Sequence, residues 1–191
     1  VLRMDPRGFG ETSKPAPGSA WSVEMLANDA IGLMNGLGIG SVHWVGEFTG
    51  GAVGLVAAVN NPTRIQSLTL INTPAKVADN VRTNYALGEV DQAAAIEKYG
   101  VAAWCRRTLP YRMDVAQAPA GMLEWVPREM AKTPVHVAQA AFRLFSTADL
   151  RPLLPKLDCP TLLVVGSKCT DARKRHMAEM RESIKQAKLV E

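Results

Sequence analysis

Residues 44–54 read WVGEFTGGAVG, and the fold turns on how this stretch is read. Just before its centre lies SVHWVG, residues 41–46, a short apolar run of the type found in a buried strand. Just after it lies TGGAVGLVAAVNNP, which is apolar nearly all round like a buried helix and is stopped by Asn60, Asn61 and Pro62. A strand that becomes a helix within a few residues brings two backbones almost into contact. Gly46, Gly50 and Gly51 are the residues that such a bend requires, and Phe48 stands at its middle.

Working outward, IQSLTLINTP (residues 65–74) is the next strand, and residues 23–37 form an apolar-striped helix that Ser22 caps and Glu24 supports in its first turn. Residues 1–5, VLRMD, read as a further strand running into the turn-rich PRGFGETSKPAPGS. Toward the other end, TLLVVG (161–166) is a buried strand, DARKRHMAEMRESIKQA an amphipathic helix, and AKLVE the start of another strand. Strands alternating with helices over short connections predict an α/β fold with a mostly parallel sheet flanked by helices. Residues 75–147 differ in being helical in period, interrupted by Pro110, Pro119, Pro127 and Pro134, and rich in Trp, Tyr, Phe and Met. The expected organisation is therefore a core of residues 1–74 and 148–191 with a helical cap inserted at 75–147. The sequence opens on a strand-like run without an initiator Met and stops on another, so a piece of a longer protein is expected.

Composition narrows the function classes. With 191 residues, 47% of them hydrophobic and 21% charged, the chain has the material for one sizeable core. Its net charge of +4 is spread among acidic residues and not gathered into a block, which argues against a nucleic-acid partner. Cys105, Cys159 and Cys169 are too widely spaced for a disulfide framework or a zinc site, so a reducing cytoplasm is the default location and no metal is expected. No apolar run approaches the roughly 20 residues that a membrane span needs. The Gly8-Phe9-Gly10 pair fails as a dinucleotide fingerprint, because Ser13 stands where the third glycine belongs and no helix starts there; no cofactor is expected.

A strand entering Gly-x-x-x-Gly and then a helix has the geometry of a nucleophile elbow. Together with the Asp-x-Arg-Gly-x-Gly loop at Asp5 to Gly10, the Asn-Pro-x-Arg-Ile turn at Asn61 to Ile65, and LPKLDCPTLLVVGS leading into a late strand, the chain resembles the α/β-hydrolase superfamily. It looks most similar to the capped branch of esterases, enol-lactonases and carbon–carbon hydrolases. The resemblance implies a small apolar ester, lactone or diketone-like ligand, and it places the family's nucleophile on Phe48. A phenyl ring has no lone pair to donate and no proton to lose, so serine-type hydrolysis is expected to be absent or very weak. The alternatives are a non-catalytic binding protein, or a lyase, decarboxylase or cyclase that forms no covalent intermediate.

Carried over residue by residue, Thr49 would aim its backbone N–H at a developing oxyanion. The family's acid falls on Cys169, with Asp171 as its substitute or simply as a helix N-cap. Glu47 is the carboxylate best placed for proton transfer, or else a hydrogen-bonding lock on the bend. In the cap, Trp104, Trp125 and Phe142 are expected to line the ligand site. Arg106, with Arg107, is expected to pair a carboxylate or to sit in solvent. Cys105 is either an activated thiol beside those arginines or a buried inert one. His43 is expected to be structural, and His136 and His176 solvated. A homo-oligomer is left open.

Overall fold

The computed structural model describes residues 1–191, which divide into two compact units. One unit comprises residues 22–76 and 148–191 and holds the sheet. Its elements are α1 (Val23–Gly36), β1 (Val42–Glu47), α2 (Thr49–Asn60), β2 (Ile65–Ile71), β3 (Thr161–Val164), α7 (Asp171–Ser183) and β4 (Ala187–Val190). The strands lie in the order β1-β2-β3-β4, every neighbouring pair parallel. Parallel pairing needs a crossover, and α2 and α7 provide two of them in one helix each. Ser22 caps α1 as its sequence predicts, its hydroxyl accepting from Met25 N at 3.0 Å.

The core follows from the apolar faces. Leu68 and Leu70 of β2 and Leu163 of β3 are fully buried, and so are Leu55, Val56 and Ala57 of α2, which packs on β1 and β2. The register then decides what meets at the end of the sheet: Glu47 pairs with Ile71, Ile71 with Val164, and Val164 with Val190. The residues that leave these strands, Phe48, Asn72 and Val165, therefore lie along one carboxyl edge.

The other unit comprises residues 1–21 and 77–147. It contains α3 (Asp79–Ala86), α4 (Gln92–Thr108), α5 (Ala120–Met130) and α6 (Val135–Thr147). Helix α4 packs against the other three, and Ile96, Trp104, Cys105 and Ala138 lie within their shared core.

Two features depart from the sequence reading. Residues 1–5 form no strand: they are exposed and pair with none of β1–β4, so the ladder that makes a strand is missing. Residues 1–21 group with the helices and not with the sheet. The Gly8 backbone lies against Val137 and Trp21, and His136 Nε2 is 2.9 Å from the Pro15 carbonyl, so His136 is a half-buried tie and not a solvated residue.

Candidate functional site

The bend between β1 and α2 is built from contacts that only glycine allows. A Cβ on Gly46 would land on the Gly50 carbonyl and the Gly51 nitrogen, so strand and helix meet backbone to backbone. Phe48 at the apex has φ 43° and ψ −103°, in the left-handed half of φ space that a bulky residue enters only under constraint. The constraint comes from both sides. Phe48 N donates to Ile71 O at 3.0 Å, its carbonyl accepts from Ala52 N at 3.1 Å, and Trp44 Nε1 donates to Gly50 O at 3.0 Å. Thr49 is the first residue of α2, where backbone N–H groups point outward from a positive helix end. Glu47, the last residue of β1, is exposed.

Across the same edge, Asn72 continues β2 in a left-handed conformation, φ 48°. It gathers the loop after β3. Asn72 N donates to Val164 O at 2.8 Å, Gly166 N donates to its Oδ1 at 3.3 Å, and Cys169 Sγ donates to the same oxygen at 3.5 Å. Arg173 Nη1 of α7 donates to the Asn72 carbonyl at 3.1 Å. Neighbouring Thr73 is completely buried against Gly51, donating to Ile71 O at 3.1 Å. Elbow, β2 end and β3–α7 loop are thus locked to one another through Asn72 and Thr73, neither of which the sequence reading singled out. That reading carries the strand through both, to residue 74, whereas β2 ends at Ile71; Asn followed by Thr-Pro is the turn signal that could have found them.

The expected residues fare unevenly. Asp171 does not cap α7; Thr170 does, its Oγ1 accepting from Arg173 N at 3.4 Å, which leaves Asp171 exposed as the first helical residue. His43 is structural but not packed away: its Nδ1 lies 2.8 Å from Ser67 Oγ on the exposed side of β1. His176 is not solvated: Ala75 N donates to its Nε2 at 3.1 Å.

In the helical unit, Trp104 has no exposed surface, and its Nε1 donates to Tyr85 O at 2.8 Å, so it is a core residue closed to any ligand. Phe142 packs edge-on against Trp104 with ring centroids 4.5 Å apart. Trp125 is half exposed and Arg106 is exposed, while Arg107 lies 4.3 Å over the Tyr99 ring. The arginine that enters the aromatic cluster is Arg112, 4.8 Å from the Tyr85 ring and 4.9 Å from that of Trp104. Cys105 is buried, and desolvation raises its thiol pKa against the opposing pull of Arg112 and Arg106; it is the inert alternative. No group of three or more His, Cys, Asp or Glu side chains is placed to hold a metal, and no helix is long and apolar enough to cross a membrane.

The α/β-hydrolase fold family model matches residues 1–101, a range that includes the glycine-tight bend at the carboxyl edge of the sheet. The chain belongs to the α/β-hydrolase family. Among solved structures it is similar to a hydrolase from Pseudomonas aeruginosa, with TM-score 0.81 and 26% identity over 97% of this chain and 68% of that one. An esterase from Thermogutta terrifontis is similar too, at TM-score 0.79 and 27% identity, again covering 97% and 68% of the two chains. A 3-oxoadipate enol-lactonase from Acinetobacter baylyi is 25% identical over 87% of this chain and 60% of its own length. A putative carbamate hydrolase from Caulobacter segnis is 36% identical over 38% of this chain and 27% of its own. The chain therefore spans at most 60% of these two curated relatives.

Proposed function

We propose that this α/β-hydrolase family member binds or transforms a small apolar ester, lactone or diketone-like molecule without a serine nucleophile, so that serine-type hydrolysis is absent or very weak. Phe48 carries the reading. It occupies the apex of the bend, at φ 43°, where the family pattern puts its attacking residue, and it offers no atom that can attack. Cys169 adds weight, because the family pattern puts the triad acid there and this thiol is engaged by Asn72. The substrate class rests on the relatives, which include esterase and enol-lactonase proteins.

One observation favours a second reading, in which Glu47 moves protons in chemistry that needs no covalent intermediate. Glu47 ends β1 as an exposed residue directly before Phe48 at the sheet edge. Hydrolysis of p-nitrophenyl acetate and labelling by a fluorophosphonate, run on the protein and on Phe48→Ser and Glu47→Gln, separate these cases. The proposal expects no labelling and no turnover above buffer in the parent. Stoichiometric labelling of the parent would overturn it, and parent turnover that Glu47→Gln abolishes would establish the second reading.

A further inference from the structure

The chain leaves the sheet unit after Lys76 and returns to it at Ala148. Those two connections are stapled together on the sheet side. Leu150 N donates to Ala75 O at 2.8 Å, and Lys76 and Asp149 form an antiparallel bridge with an ion pair of 3.6 Å. Asp149 in turn accepts from Arg151 Nε at 2.8 Å. One more bond ties this staple to α7: the Ala75 amide, in a residue that is 1% exposed, donates to His176 Nε2 across 101 residues of sequence.

That bond fixes the ring's protonation. A nitrogen that accepts from an N–H carries its lone pair there, so the His176 proton sits on Nδ1, which faces Glu179 Oε2 at 3.8 Å. Imidazolium has two donors and no acceptor. Adding a proton at Nε2 would set two N–H groups against each other and leave the Ala75 donor buried without a partner. We propose that His176 is a pH-operated latch on the stem of the helical insertion: neutral, it holds the Ala75–Leu150 staple to α7, and protonated, it releases Ala75.

Burial sets release on the acid side of the ordinary histidine value, and the charged surroundings pull both ways. Glu179 on the same helix attracts the imidazolium, whereas Arg173 on that helix and Arg151 beside the staple repel it. Burial is the largest influence, and it holds the His176 pKa below the ordinary histidine value. The latch is closed near pH 7 and opens as pH falls below the ordinary histidine value.

Amide exchange followed by NMR on the protein, between about pH 5 and about pH 8 and corrected for intrinsic rates, reads the latch directly. Protection at Ala75 is expected to fall by up to about tenfold per pH unit below a midpoint under about 6.5, while Leu68 in the middle of β2 holds its protection. In His176→Phe, Ala75 is expected to be weakly protected at every pH. Protection at Ala75 that is independent of pH in the parent, or that falls equally in His176→Phe, overturns the proposal. Should that variant not fold, the tautomer decides: nitrogen shifts of the parent near neutrality must show a protonated Nδ1 and a bare Nε2, and the reverse overturns it.

Discussion

Replacing Gly46 by alanine tests the elbow more sharply than any change at Phe48, because the clash it creates is with backbone and no rotamer relieves it. The new methyl group would fall on the Gly50 carbonyl and the Gly51 nitrogen. Restoring ordinary contact means moving β1 and α2 apart by about 1 Å. That movement strains three bonds at once: Phe48 N to Ile71 O at 3.0 Å, Ala52 N to Phe48 O at 3.1 Å, and Trp44 Nε1 to Gly50 O at 3.0 Å. Overpacking a tight site costs about 1–3 kcal/mol, and each weakened hydrogen bond adds up to about 1 kcal/mol. Gly46→Ala should therefore lose about 3–5 kcal/mol, equivalent to a fall in Tm of about 6–20 °C for a chain of this size. Gly50, four residues on, is the internal control: the sequence marks it as required by the bend, but a Cβ there meets nothing within 4 Å, so the requirement falls on Gly46 and Gly51. Gly50→Ala should be neutral or gain up to about 1 kcal/mol from helix propensity. Urea unfolding followed by circular dichroism, with the m-value compared between variants, measures both. A Gly46→Ala protein within about 1 kcal/mol of the parent, or a Gly50→Ala loss of equal size, would refute the claim that backbone contact sets the bend.

Three further outcomes follow from particular side chains. Trp104→Ala should cost about 3–5 kcal/mol as a core deletion; a variant of unchanged stability would return Trp104 to the list of ligand contacts. Titration of the native protein with a thiol reagent should modify Cys169 first, with Cys105 and Cys159 reacting only on unfolding, because both are buried and desolvation raises both their pKa values. Rapid native modification of Cys105 would contradict that ordering. The His176 pKa is lowered in the folded state, chiefly by burial, so the unfolded chain binds the extra proton first. The corresponding stability is therefore fully present above about pH 6.5 and is lost as pH falls through the folded value; the urea midpoint should fall across that window in the parent and less in His176→Phe.

Most of the sheet unit was legible because its signals are local. Ser22 capping α1, the apolar run of β2 and the Gly-rich bend all act within a few residues of themselves, and each stands where the sequence puts it, except that β2 stops at Ile71, three residues short of the run read as a strand. What was not legible depends on partners distant in sequence. The apolar run at residues 1–5 has strand composition, but a strand exists only where another backbone pairs with it. Trp104 looks the same in sequence whether it lines a ligand site or a core; the Tyr85 carbonyl that takes its N–H and the Phe142 ring beside it decide the matter. His176 on an amphipathic helix reads as solvated until Ala75 is brought to it from 101 residues away. At the site, the bend could be read from its glycines, whereas the role of Asn72 depends on groups from β3 and α7 that converge on one residue.

The backbone at Phe48 links architecture to chemistry. A φ of 43° in a phenylalanine costs on the order of 1–3 kcal/mol, and strain of this kind accompanies a reactive side chain in a nucleophile elbow. Here the side chain is inert, yet the strain persists. The Gly46–Gly50 contact and the Phe48 N to Ile71 O bond explain why: the bend is imposed by β1, β2 and α2 packing together and does not depend on what its apex carries. Phe48→Gly should therefore stabilise the bend by relieving strain while giving up the contacts of a half-buried ring, leaving a net change of less than about 2 kcal/mol. A large loss in Phe48→Gly would mean that the ring itself holds the elbow together. Small loss or gain would mean that the fold tolerates replacement of the apex residue, so that the architecture of the bend does not depend on the side chain it carries.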